Sequence, residues 1–171
     1  MSKNSIINLL KKEEIIKYGN FKLRSGLNSN YYCDIKKALG KPKLLEIIVR
    51  EISKLIPKET TCIAGSGYGG ITLASLVSYK KKLPLILVRD KVKNHGTKKT
   101  IDGYIPNKKD FVCIVDDVFT TGSSISDTRQ KLSPTKCKFV KPLVFLNRSK
   151  ESGVTSVLQL DNLVNDWESN T

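Results

Sequence analysis

Apolar residues recur at helical spacing in two early stretches and then in short runs. Ile6, Ile7, Leu9, Leu10, Ile15 and Ile16 form a stripe that predicts a helix over Ser5–Tyr18, capped by Ser5 or Asn4 and stopped at Gly19-Asn20. Leu44, Leu45, Ile48, Ile52 and Leu55 share one face of a second predicted helix, with Pro42 in its first turn. Between them, Phe21–Arg24 and Asn30–Asp34 read as two short strands joined by the turn-rich Ser25-Gly26-Leu27-Asn28-Ser29. After residue 60 the rhythm changes. Strands are expected at Thr60–Ala64, Leu83–Val88, Asp110–Val115, Phe139–Leu146 and Thr155–Leu160, and helices at Ile71–Tyr79, after Ser124 to about Leu132, and at Leu160–Glu168. Alternating strand and helix predicts an α/β fold with a mostly parallel central sheet and right-handed crossovers. One domain over residues 1–171 is expected, with a core from about 41 and an appended helix-hairpin hood over about 1–40.

Length and composition fit a single globular domain. The chain has 171 residues, 39% of them hydrophobic, and no apolar run long enough to cross a membrane. Met1-Ser2-Lys3-Asn4 opens without the features of a secretory signal. Cys33, Cys62, Cys113 and Cys137 show no Cys-x-x-Cys spacing, so neither a zinc site nor a disulfide framework is expected, and a reducing cytoplasm is. Thirty Lys and Arg against sixteen Asp and Glu give a net charge of +14, which suits an anionic ligand or nucleic acid as well as a solvated lysine-rich surface. Basic residues interleaved with aromatics, which would favour RNA, are absent.

The chemistry concentrates at Val112–Ser124, Val-Cys-Ile-Val-Asp-Asp-Val-Phe-Thr-Thr-Gly-Ser-Ser. An apolar strand leads to Asp116 and Asp117, and small hydroxyl residues around Gly122 lead into a helix. A helix start with free N–H groups suits a phosphate, at the sheet edge where ligands of open α/β sheets bind. The two carboxylates would repel that phosphate, so they suit sugar hydroxyls or a metal. The combination points to a sugar phosphate. Gly65-Ser66-Gly67-Tyr68-Gly69-Gly70 is a second glycine-rich strand-to-helix loop, read either as a tight turn or as a second anion site. Residues 89–99, Arg-Asp-Lys-Val-Lys-Asn-His-Gly-Thr-Lys-Lys, include His95, the single histidine of the chain. They read either as a solvated surface hairpin or as a mobile lid that closes cations over an anion and excludes water.

Val112–Ser124 resembles the signature for 5-phosphoribosyl-1-pyrophosphate (PRPP) of the type I phosphoribosyltransferases. Phe21-Lys22-Leu23-Arg24-Ser25-Gly26 with Ser29 and Tyr31-Tyr32, the 65–71 loop, and Arg89–Thr97 with Asp102-Gly103 are similar to the orotate phosphoribosyltransferase family. The resemblance implies the type I phosphoribosyltransferase fold, transfer of phosphoribose from PRPP to orotate, Mg²⁺ brought with PRPP, and a homodimer with the lid, about 89–103, shared across subunits. It implies ribose hydroxyls on Asp116 and Asp117, and the 5-phosphate wrapped by Thr120, Thr121, Gly122, Ser123 and Ser124 after Val118 and Phe119. Pyrophosphate falls to Tyr68 and Gly69, with Arg89, Asp90, Lys91, Lys93 and His95. Orotate falls to Arg24, Tyr32, Thr120 and Arg148. Lys93, His95, Asp116 and Asp117 take the catalytic roles.

Four residues depart from the family pattern. Arg24 stands where Lys is frequent, which changes a point charge into a fork. Asp90 and Lys91 look exchanged in charge, and Gly69 stands where one branch carries Lys. Two other readings are a phosphoribosyltransferase for a different base and a phosphoribosyltransferase fold that regulates by binding RNA.

Overall fold

The computed structural model describes residues 1–22, 28–90, 99–149, 153–159 and 163. In chain order the elements are α1 (Lys3–Lys12), β1 (Ile16–Lys22), β2 (Asn28–Cys33), α2 (Ile35–Leu39), α3 (Pro42–Lys54), β3 (Cys62–Ser66), α4 (Gly67–Lys81), β4 (Leu85–Val88), β5 (Ile101–Gly103), β6 (Phe111–Phe119), α5 (Ser123–Leu132), a 3-10 turn (Ser133–Thr135), β7 (Lys138–Phe139), β8 (Leu143–Asn147) and β9 (Thr155–Gln159).

The main sheet runs in the order β5-β4-β3-β6-β8-β9, with β7 beside the first residues of β6. All its pairings are parallel except β4 with β5. The expected mostly parallel sheet is therefore present. Alternation along its strands sends side chains to two cores. Ile63, Cys113 and Val115 join α1, α3 and α4 on one face, whereas Cys62, Val112 and Ile114 join Ile125 and Leu132 of α5 on the other. Fully burying each such aliphatic side chain is worth about 1.5–3 kcal/mol, so β3 and β6 are held from both sides. Burial pushes the Cys33 and Cys113 thiols up to about 12 and Cys62 up to about 11, which makes them inert small hydrophobes. All four cysteines are free thiols.

The β1-β2 pair forms a separate antiparallel hairpin. Here the structure corrects the helix expected over Ser5–Tyr18. Ser2, not Ser5 or Asn4, caps α1, and the helix ends at Lys12. Glu14 takes a left-handed φ of 53°, and Ile15 N–H returns to the Leu10 carbonyl. Ile15 and Ile16 continue the apolar stripe in sequence but bury from extended backbone. The strand expected from Phe21 thus begins at Ile16.

Other boundaries shift for local reasons. The run expected as one strand from Phe139 to Leu146 is split into β7 and β8 around Pro142, which has no N–H for the ladder. The short α2 and β5 have too few residues to set a period. Asp34 caps α2 by accepting from Lys37 N–H at 3.1 Å. The helix expected at Leu160–Glu168 lies outside the described residues apart from Leu163. At the start of β6, buried Asp110 accepts from Thr61, Tyr104 and Asn107 at 2.8–3.1 Å. Burial works to raise the Asp110 carboxyl, and these hydrogen bonds outweigh it and hold it below the usual range.

Candidate active site

The carboxyl ends of β3, β4 and β6 meet at one edge of the sheet. β6 is longer than expected and carries Asp116 and Asp117 within the strand, up to Phe119. β3 likewise runs to Ser66, and α4 starts at once with Gly67, so most of the expected 65–70 loop is strand end and first helical turn. Gly67 has φ +63°.

The two glycine positions that follow are set by the acid pair. A Cβ on Gly69 would lie 2.4 Å from the Asp117 carboxyl carbon, and one on Gly70 would lie 3.1 Å from Asp116 Oδ1. The first turn of α4 therefore packs directly against both carboxyl groups. Gly65 allows the same approach from below, because its Cβ would lie 2.4 Å from the Gly70 carbonyl oxygen.

The acids are held in different surroundings. Asp116 is 8% exposed, and its Oδ1 accepts from Asp117 N–H at 2.9 Å. Burial, and then the neighbouring Asp117 charge, raise the Asp116 carboxyl to about 7. Asp117 is half-buried, and its Oδ1 accepts from Val118 N–H at 2.9 Å.

The hydroxyl loop after β6 turns through Gly122, whose φ is +77° and whose Cβ would meet the Phe119 ring at 2.8 Å. Phe119 is buried beneath the turn, and Val118 packs on the core, so both shape the loop from below. Thr120, Thr121, Ser123 and Ser124 are exposed, and all but Thr121 line a small cleft that also includes Asp116. Ser124 continues inward: its hydroxyl is 3.3 Å from that of Ser66, which lies 2.9 Å from Thr128 Oγ1. This chain of hydroxyls fastens α5 to the end of β3.

The helix N-termini show a division. Ser2 caps α1 and Asp34 caps α2 with side chains. α3, which opens on Pro42, α4 and α5 receive no side-chain cap, although Ser66 precedes α4; of these three, α4 and α5 follow the carboxyl ends of β3 and β6. The Ser66 hydroxyl is directed to Ser124 and Thr128 instead. Two sets of first-turn N–H groups thus face the same sheet edge on either side of the acid pair, an arrangement suited to two anionic groups.

This edge is that of a known family of enzymes. A curated orotate phosphoribosyltransferase of Methanosphaera stadtmanae is 35% identical over 162 residues, covering 94% of this chain and 89% of the relative. The chain belongs to the orotate phosphoribosyltransferase family. No family model matches it. The crystal structure of orotate phosphoribosyltransferase from Aeropyrum pernix aligns with a TM-score of 0.78 and 25% identity over 96% of this chain and 98% of that one. The structure of Leishmania donovani UMP synthase aligns with a TM-score of 0.81 and 25% identity over 99% of this chain, which spans 39% of that longer protein. The type I phosphoribosyltransferase fold expected from the sequence is the one observed.

The remaining residues expected at the site divide into three groups. Tyr68, on the first turn of α4, is 90% exposed beside the acid pair. Arg89 and Asp90 follow β4, but Arg89 Nε pairs with Asp102 at 2.6 Å, and the Asp90 carboxylate lies beside Gly67. Partnership with Asp102 raises Arg89 further above its ordinary value. Arg148 follows β8; its N–H donates to the Phe119 carbonyl at 2.9 Å, and its guanidinium lies 5.5 Å from the Tyr31 ring centroid.

Tyr32 is not brought to this group. Successive residues of a strand point to opposite faces. Tyr31 is buried beneath Arg148, whereas Tyr32 is 44% exposed and packs on Phe21 at 5.8 Å, beside Lys17 and Lys37. Two adjacent tyrosines offer no local signal for choosing between them. Arg24, Lys91, Lys93 and His95 lie outside the described residues. Lys131 was missed by sequence reasoning: it reads as one more surface lysine, and only the fold shows it reaching the end of β4.

Proposed function

We propose that the protein transfers the 5-phosphoribosyl group of PRPP to orotate, giving orotidine 5'-monophosphate and pyrophosphate in pyrimidine (UMP) biosynthesis. The carrying observation is the convergence of two helix N-termini without side-chain caps on one carboxylate pair. Such an edge suits a ligand with a phosphate at each end and hydroxyls between. In the reaction, a bond forms between orotate N1 and ribose C1 as the C1–O bond to pyrophosphate breaks. The bonding pair leaves with pyrophosphate, and the N1 proton is lost. Positive charge develops at C1, so catalysis is chiefly electrostatic.

Asp116 and Asp117 hold the ribose 2- and 3-hydroxyls and lie near that charge. Thr120–Ser124 and the first turn of α5 receive the 5-phosphate. Tyr68, Gly69 and the first turn of α4 face pyrophosphate. Residues 89–103 act as a lid, with Lys93 and His95, supported by Arg89 and Lys91, neutralising the leaving group. Arg24 pairs with the orotate carboxylate, and Thr120 and Arg148 reach its polar edge. Tyr31, beneath Arg148, replaces Tyr32 as the aromatic wall. Among the described residues, no group of three or more His, Cys, Asp or Glu is placed to hold a metal. The family resemblance implies Mg²⁺ carried on the pyrophosphate of PRPP, where it would neutralise leaving-group charge.

The working form is a cytoplasmic homodimer; the family resemblance supports this, and a single-chain mass by sedimentation would contradict it. Among the described residues, no helix is long and apolar enough to cross a membrane. The reaction is tested by PRPP consumption with orotate, adenine, xanthine and uracil in parallel. Turnover with orotate alone is expected. Preferential use of another base would move the protein to a different acceptor.

A further inference from the structure

We infer that Lys131 is a positioning residue that ties the helix behind the 5-phosphate loop to the base of the lid. The inference rests on the transferase reading above. Lys131 lies in the last turn of α5, and its side chain is 12% exposed. Its Nζ donates to the Arg89 carbonyl at 2.8 Å, the Asp90 carbonyl at 3.0 Å and Asp127 Oδ2 at 2.5 Å. An ammonium has three protons, and here each has an acceptor.

A lysine in a last helical turn has an ordinary role, facing the negative end of its own helix. That role does not account for this one. Two of its acceptors are backbone carbonyls about forty residues earlier, at the exit of β4. Ser124, Thr128 and Lys131 follow spacings of four and three, which place them on one face of α5. The first two reach Ser66 at the end of β3, and the third reaches the residues after β4. Three turns of one helix thus fasten the 5-phosphate loop to the pyrophosphate strand and to the lid base.

The lid base has its own internal tie. Arg89 pairs with Asp102 and its N–H donates to the Thr100 carbonyl at 2.9 Å, so the two stems of residues 89–103 are joined. Asp90, between these ties, points its carboxylate at Gly67. Lys131 fixes this joined stem relative to α5. Arg89 and Asp90, at the exit of β4, are therefore held in a position set by the same helix that receives the 5-phosphate. An apolar side chain at 131 leaves two carbonyls without their donor and frees the stem from α5. Binding at the 5-phosphate loop itself needs none of these contacts.

The test compares wild type, Lys131→Met and Lys131→Arg in full steady-state kinetics, with PRPP affinity measured by calorimetry. Lys131→Met is expected to lower kcat by about tenfold or more, since misplacement of a catalytic group by an ångström costs up to ~10²-fold. PRPP affinity should stay within about threefold, and Lys131→Arg should recover part of kcat, because its guanidinium can still donate to the carbonyls. If Lys131→Met does not fold, Lys131→Gln, which is shorter, uncharged and keeps two of the three N–H donors, must show the same split. A kcat within twofold of wild type, a parallel loss of affinity and kcat, or no difference between Arg and Met would overturn the inference. Absence of orotate turnover by wild type would instead overturn the transferase reading on which it rests.

Discussion

The carboxyl group of Asp117 occupies the space in which a side chain on Gly69 would begin: a Cβ there would be 2.4 Å from its carboxyl carbon. The first turn of α4 and the end of β6 can approach this closely only because residue 69 is glycine. The missing lysine at this position is thus not a simple loss of charge. Any side chain at 69 requires Asp117 to turn away.

Gly69→Ala tests this contact. Alanine favours a helix over glycine by about 1 kcal/mol, so the fold should survive, while the Asp117 carboxylate is displaced. A fall in kcat/KM of about 10² is expected with little change in Tm, measured by orotate turnover and thermal unfolding. Unchanged kinetics would show that Asp117 does not depend on this contact.

Asp116 predicts an unusual pH dependence of stability. Its carboxyl is raised to about 7 in the folded chain by burial and by Asp117. The folded state holds the proton more tightly than the unfolded one, so this contribution is full below the ordinary aspartate range. It is lost as pH rises from about 4 through about 7. Asp116→Asn should therefore raise the Tm of the ligand-free protein by about 5–10 °C at pH 8 and hardly change it at pH 4. The same variant should lose most turnover. Equal effects on Tm at both pH values would remove the buried-acid explanation.

Much of this site was legible in the chain because its signals are local. An apolar run followed by Asp116-Asp117 and Thr120–Ser124 identifies the strand, the acids and the anion loop without any knowledge of the fold. Glycines at 65, 67, 69 and 70 likewise mark a close approach, although the sequence does not reveal that α4 begins at Gly67 and backs on Asp117. What remained hidden depends on partners distant in sequence. Ser66 looks like a cap for α4, but its hydroxyl meets Ser124 and Thr128 about sixty residues later. Tyr31 and Tyr32 are chemically equivalent until strand parity puts one beneath Arg148 and the other on Phe21. Ile15 and Ile16 fit a helical period equally well as the end of α1 or the start of β1, and the left-handed turn at Glu14 decides the matter.

The Ser66–Thr128 contact carries its own prediction. Thr128 is fully buried, and its hydroxyl is 2.9 Å from that of Ser66. Thr128→Val keeps the shape but removes a buried hydrogen bond, at a cost of about 1–2 kcal/mol. The expected signature is a Tm lower by about 2–8 °C, with a raised KM for PRPP because α5 is less firmly seated. A lowered Tm with an unchanged KM would make the contact purely structural.

Transfer to orotate is tested by the absorbance change of orotate on incubation of the purified protein with PRPP and Mg²⁺. Steady loss of the orotate signal with stoichiometric release of pyrophosphate is expected, dependent on PRPP and severely reduced in Asp117→Asn. Folded wild-type protein that leaves the orotate signal unchanged under these conditions would contradict transfer to orotate.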